Sequence, residues 1–150
     1  MPLLAMLQHE AMSSALAPKL FVGDPASIGA TRINVGSTDD AYKSLLKATF
    51  YGDVSESEFA HGASLLHCDE PVAASVTPSG ITPGRFGTVP PHYIRCTQNC
   101  AIPLVWQDHM IATVDAAIGG KTIIHTLQSS HSPFLSQPAA LAKILVGISG

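Results

Sequence analysis

The sequence predicts a partial α/β fold: one end of a parallel sheet with helical cover. Three observations lead there. From residue 91 onward two short β-type runs alternate with two amphipathic helical stretches, the pattern of a βαβα unit. Before that point proline and glycine recur too often for long strands and leave room for two short helices. The composition, 46% hydrophobic and 13% charged residues over 150, suits a buried α/β interior better than a disordered or coiled-coil chain.

Each element has a local cause. Residues 1–37 are broken by Pro18, Gly23, Pro25, Gly29 and Gly36, so no regular element is assigned there. Thr38-Asp39-Asp40 can cap a helix that runs through residues 41–48. Tyr42, Leu45, Leu46 and Thr49 fall on one face of it, and Gly52 stops it. Ser55 and Glu58 have capping-box spacing and start a second helix, continued by Phe59, Ala63 and Leu66 to about residue 67. Pro71, Pro78, Pro83, Pro90 and Pro91 then mark an irregular crossing segment. The run 92–97 reads as a strand, and residues 103–117 as a helix with Leu104, Trp106, Met110, Ile111 and Val114 apolar. Residues 121–127 read as a second strand, and 138–148 as a last helix with Leu141, Ile144, Leu145 and Ile148 inward. Trp106 and Met110 are expected to pack this cover onto the sheet. The joints are short, so the crossover is right-handed. Two parallel strands leave two open edges and normally need neighbours, which predicts exposed apolar surface.

The bulk numbers exclude several classes. Net charge is -3 and the pI about 6.1; no Lys/Arg cluster occurs, so nucleic acid is not an expected partner. No apolar run approaches the roughly 18 residues needed to span a bilayer. The patch at residues 3–7 lacks a basic start and is cut by Gln8, His9 and Glu10, a poor signal peptide. The cytoplasm is the expected location. Cys68, Cys96 and Cys100 form no disulfide framework and read as reduced thiols. Cys96 and Cys100 have a spacing found in zinc sites, but His92 and His109 have no matching pair spacing, so structural thiols and surface histidines are expected instead. Asp24-Pro25-Ala26-Ser27-Ile28-Gly29 lacks the end of a phosphate loop. No metal or organic cofactor is implied. His61, His67 and His125 read as surface groups on a helix and a strand.

Sites in open α/β sheets form beyond the carboxyl ends of the strands. Two loops qualify here, Gln98-Asn99-Cys100 and Gln128-Ser129-Ser130-His131-Ser132. Three segments also resemble a known family: residues 85–103, with Tyr93-Ile94-Arg95-Cys96-Thr97-Gln98-Asn99 before Ile102-Pro103; residues 127–138, with Ser130-His131-Ser132-Pro133-Phe134; and Ala48-Thr49-Phe50-Tyr51-Gly52-Asp53 with the helix after it. Together they are similar to the C-terminal portion of the α/β-hydrolases, in the branch of esterases, methyl esterases and hydroxynitrile lyases. The likeness covers most of residues 24–148. It implies one domain over residues 1–150, with a helical cap at about 24–90 and a C-terminal βαβα unit at about 91–150.

The resemblance puts His131 on the catalytic base and Asn99 where the family has the triad aspartate. Aspartate holds the imidazole tautomer and supports the imidazolium, and the matching change to Asn in a serine protease lowers kcat about 10⁴-fold. Asp108 and Asp115 are expected too far along the next helix to substitute. Gly-x-Ser-x-Gly is absent; Gly147-Ile148-Ser149-Gly150 lacks the strand that such an elbow needs. Ser132 stands where hydroxynitrile lyases of the branch carry lysine, so an ester hydrolase is implied. Two functions follow as expectations: a truncated carboxylesterase-like chain, inactive alone, whose parent cleaved small esters; or an interaction module whose open sheet edge pairs with a second copy or with an N-terminal half. New chemistry built on His131 alone ranks below both.

Overall fold

A computed structural model of the chain describes residues 9–77 and 80–149. The apolar patch at residues 3–7, Pro78 and Gly150 lie outside them.

The first half is built from short pieces. One-turn 3₁₀ helices at Glu10–Met12 and Ala17–Leu20 lead to α1 (Pro25–Ile28) and β1 (Ala30–Arg32). Helix α2 (Asp40–Phe50) starts where expected, because the Asp39 carboxylate accepts from the N–H groups of Ala41 and Tyr42. Of its expected apolar face, Leu46 and Thr49 are buried. The Tyr42 hydroxyl ties the helix to the N-terminal segment: it donates to Leu20 O at 2.7 Å and accepts from Asn34 N at 2.8 Å. Helix α3 (Glu56–Ser64) opens with the complete Ser55–Glu58 capping box. It ends three residues short of the expected His67.

Near its end Gly62 is buried, and a Cβ there would lie 3.0 Å from the Tyr51 ring and 3.2 Å from Leu135 Cδ1. Any larger residue would make the Tyr51 ring or Leu135 give way by a few tenths of an ångström. The proline-rich stretch expected to be irregular holds β2 (Asp69–Pro71) and α4 (Val72–Val76). Strand β2 pairs antiparallel with β1, Arg32 opposite Asp69, and a two-bond Arg32–Asp69 ion pair at 2.7 Å closes the ladder. The pair is solvent-exposed, so it selects register more than it stabilises.

The second half is the expected βαβα unit. Strands β3 (His92–Cys96) and β4 (Ile123–Leu127) run parallel, with His92 opposite Ile123 and Cys96 opposite Leu127. Helix α5 (Leu104–Ile118) connects them and ends on Gly119, whose φ of +66° suits the left-handed cap. Strand β4 starts two residues later than expected because Thr122 is already committed. Its N–H and hydroxyl both donate to Asp115 Oδ1, at 2.8 and 2.7 Å. A short helix α6 (Pro133–Ser136) precedes α7 (Pro138–Ser149).

The core is divided. Trp106 does not pack onto the sheet as expected; it joins Met12 and Ala15, with Met110 and Ile102 beside them. The sheet's amino end is open, Ile123 and Ile124 being 47% and 46% exposed. No helix among the described residues is long and apolar enough to cross a membrane.

Candidate active site

Beyond the carboxyl ends of β3 and β4 the strand pairing continues into the loops. Thr97 N donates to Leu127 O and Gln98 N to Ser129 O, each at 3.0 Å. The two loops therefore travel together, which brings residues 99 and 131 face to face.

Asn99 closes a tight turn. Its Oδ1 accepts the backbone N–H groups of Ala101 at 3.0 Å and Ile102 at 2.9 Å, the local bonding that makes Asn a turn residue. The same oxygen lies 3.2 Å from His131 Nδ1. An amide oxygen can only accept, so Nδ1 carries the ring hydrogen and Nε2 keeps its lone pair. Of the two losses expected from Asn at this position, the wrong tautomer does not follow. The two backbone donors turn the amide so that its oxygen, not its NH₂, meets the imidazole. The second loss stands, since a neutral amide gives an imidazolium no charge support. Burial lowers the pKa of His131 below its ordinary value, so the ring is neutral at pH 7 with Nε2 available as a base.

Helix α5 holds the Asn99 loop from below. Gln107 is 1% exposed. Its Oε1 accepts from Cys96 N at 3.0 Å, and its Nε2 donates to Cys96 O and Ile102 O, both at 2.9 Å. One side chain thus grips both ends of the segment that carries Asn99. The His131 loop is equally well held: Ser129, Ser130 and Ser132 are each no more than 2% exposed. Asp53 Oδ2 accepts from Ser130 N at 3.0 Å. Burial works against the Asp53 carboxylate, but hydrogen bonds from Ser130 and Ser136 outweigh it and hold its pKa below the usual value. The Phe50 ring meets the His131 ring edge-on, with centroids 5.4 Å apart.

His131 opens on an apolar cavity of about 480 Å³. Phe21, Ile33, Phe50, Leu66, Trp106 and Met110 line it, and Cys68 and Glu70 bring polar groups to the wall. It is large enough for a small ligand. Trp106 and Met110 were expected as packing alone.

The remaining candidates lie elsewhere. Asp108 pairs with Arg95 at 3.0 Å, and Asp115 caps Thr122. His109 stacks on Trp106, while His92 Nδ1 and His125 Nε2 lie 3.0 Å apart. Among the described residues no group of three or more His, Cys, Asp or Glu could hold a metal ion. Gln107, Asp53 and Phe50 were missed from the sequence. A polar residue on the buried face of an otherwise apolar helix was the available signal for Gln107. Nothing local marked Asp53 or Phe50.

No protein-family model matches the chain. It is 28% identical over 109 residues to the putative methylesterase 11, chloroplastic, of Arabidopsis thaliana, a match covering 73% of this chain and 27% of that protein. Among solved structures, a pyrethroid hydrolase superposes with a TM-score of 0.73 at 21% identity, covering 96% of this chain and 53% of that one. A pyrethroid hydrolase from Sphingobium faniae JZ-2 gives 0.63 at 19% identity, covering 90% and 55%. Polyneuridine aldehyde esterase gives 0.58 at 20% identity, covering 72% and 41%. The chain spans about a quarter of the curated relative and about half of the structural ones. Sequence and fold point the same way: the chain has an α/β-hydrolase fold and is similar in sequence to a methylesterase, its partial coverage fitting a C-terminal portion of that fold.

Proposed function

We propose that the chain is the histidine-bearing portion of a carboxylic ester hydrolase and does not turn over esters by itself. The observation that carries this reading is the neutral His131, oriented through Nδ1 by Asn99 Oδ1 at 3.2 Å, at the mouth of an apolar cavity. Relatives named as a methylesterase, an aldehyde esterase and a pyrethroid hydrolase favour a small ester as the parent substrate. In that scheme Nε2 removes the proton from a serine hydroxyl as the oxygen attacks the ester carbonyl. The imidazolium then returns the proton to the leaving alkoxide, and water attacks the acyl-serine by the same route. The 150 residues hold no nucleophile elbow, so the serine has to come from outside them. Residues 24–90 act as the cap, contributing Phe50, Ile33 and Leu66 to the cavity. The proposed location is the cytoplasm, which cell fractionation tests.

The test is hydrolysis of p-nitrophenyl acetate and butyrate, with a fluorophosphonate probe for an activated serine. The expected result is no probe labelling and no turnover beyond what an exposed imidazole gives. Stoichiometric labelling, or turnover abolished by His131→Ala, would overturn the claim of inactivity.

A second reading is an interaction module, favoured by the outer edge of β3. Gln107 occupies the outward N–H and C=O of Cys96, while the ladder to β4 uses the alternate residues from Pro91 to Thr97. The edge at His92 and Ile94 is the stretch left for another strand. Sedimentation across a concentration series separates the readings: a defined dimer supports pairing, and a monomer at every concentration removes self-association.

A further inference from the structure

We propose that Asp53 is a positioning residue for His131, acting through the backbone of Ser130. Asp53 lies in the turn between α2 and α3, 77 positions before Ser130, and its Oδ2 accepts the Ser130 N–H at 3.0 Å. Ser130 directly precedes His131, so fixing its peptide plane sets the direction from which the chain enters the histidine. The same turn reaches the loop at two further points. The Ser130 hydroxyl donates to Phe50 O at 3.5 Å, and the Phe50 ring lies edge-on to the imidazole. Gly52 packs against the same loop, a Cβ there lying in ordinary contact 3.8 Å from Ser130 Cβ. Ser130 is 1% exposed, so water does not readily replace the carboxylate as acceptor. Asp53 touches neither the ring nor the cavity; it acts on where the ring stands.

Its meaning for catalysis rests on the reading of His131 as a base, but its test does not. The readout is the His131 Nδ1 proton in ¹⁵N-edited NMR, which reports the contact with Asn99, together with the pH titration of the ring. In Asp53→Ala this proton is expected to broaden or vanish through exchange, and the ring to titrate closer to an ordinary histidine. Asp53→Asn keeps an oxygen acceptor without charge and is expected to shift the resonance partway. Tyr42→Phe, which removes two hydrogen bonds at the far end of α2, controls for general loss of stability and is expected to leave the resonance in place. An unchanged Nδ1 proton and titration in Asp53→Ala would overturn the proposal. So would equal disturbance by Tyr42→Phe. If Asp53→Ala does not fold, an unshifted resonance in Asp53→Asn overturns it. Ester turnover enters none of these outcomes, so failure of the esterase reading leaves the positioning result intact.

Discussion

Replacing Asn99 by Asp restores a charge without changing the shape of the side chain, and its effect on His131 follows from the geometry. The Asn99 oxygen is 3.2 Å from Nδ1 and already accepts two backbone N–H groups, so the turn can receive a carboxylate without rearrangement. At an effective dielectric of about 20, opposite unit charges roughly 4 Å apart attract by about 4 kcal/mol. Desolvation of the new carboxylate cancels part of this, which leaves a rise of about 1–3 units in the His131 pKa. The starting value lies below the ordinary one because the ring is buried, and the change moves the titration upward from there. The assay is NMR titration of the His131 ring, assigned by its loss in His131→Gln. A pKa that moves by less than about 0.3 units, or falls, refutes the reasoning. Either result means that residue 99 does not face the imidazole.

Three further outcomes are expected. The wild-type chain should lose stability as pH falls from about 6.5, the unfolded histidine value, toward the lower folded value of His131. In that window the unfolded state binds the extra proton; above it the contribution is fully present, and equilibrium unfolding of His131→Gln at several pH values should lack this slope. Gln107→Leu fills the same space but strands Cys96 N, Cys96 O and Ile102 O. It should cost about 3 kcal/mol in urea unfolding and displace the Asn99 resonances. Gly62→Ala places a methyl against Tyr51 and Leu135; overpacking of about 1–3 kcal/mol less a helix-propensity gain of about 1 kcal/mol should leave a net cost of up to about 2 kcal/mol, read as a lower Tm, and a rise in Tm would show that Tyr51 and Leu135 give way freely.

Where a signal was local, the sequence carried it. The Asp39 cap and the Ser55–Glu58 capping box are bonds between residues two to three apart, and both helices start as expected. Gly119 closes α5 one residue beyond the expected helix, again for a local reason. Errors collect where a distant residue decides. Strand β2 exists only because Ala30–Arg32 pairs with Asp69–Pro71, and proline in that stretch concealed it. Trp106 has the right spacing to face a sheet, yet it found Met12 and Ala15 in the N-terminal segment instead.

The candidate site divides in the same way. The sequence by itself determined that a polar loop with His131 follows the second strand and that Asn99 follows the first, because strand, turn and helix signals are short-ranged. It also determined that no nucleophile elbow lies within these residues. Only the tertiary structure decided which atom of Asn99 meets His131, across 32 positions, and that Asp53 holds the loop from 77 positions away. A side-chain amide has an oxygen and a nitrogen face of almost equal shape. Which face it presents is set by the donors that surround it, and here those are the N–H groups of Ala101 and Ile102, aligned by the turn and held by Gln107.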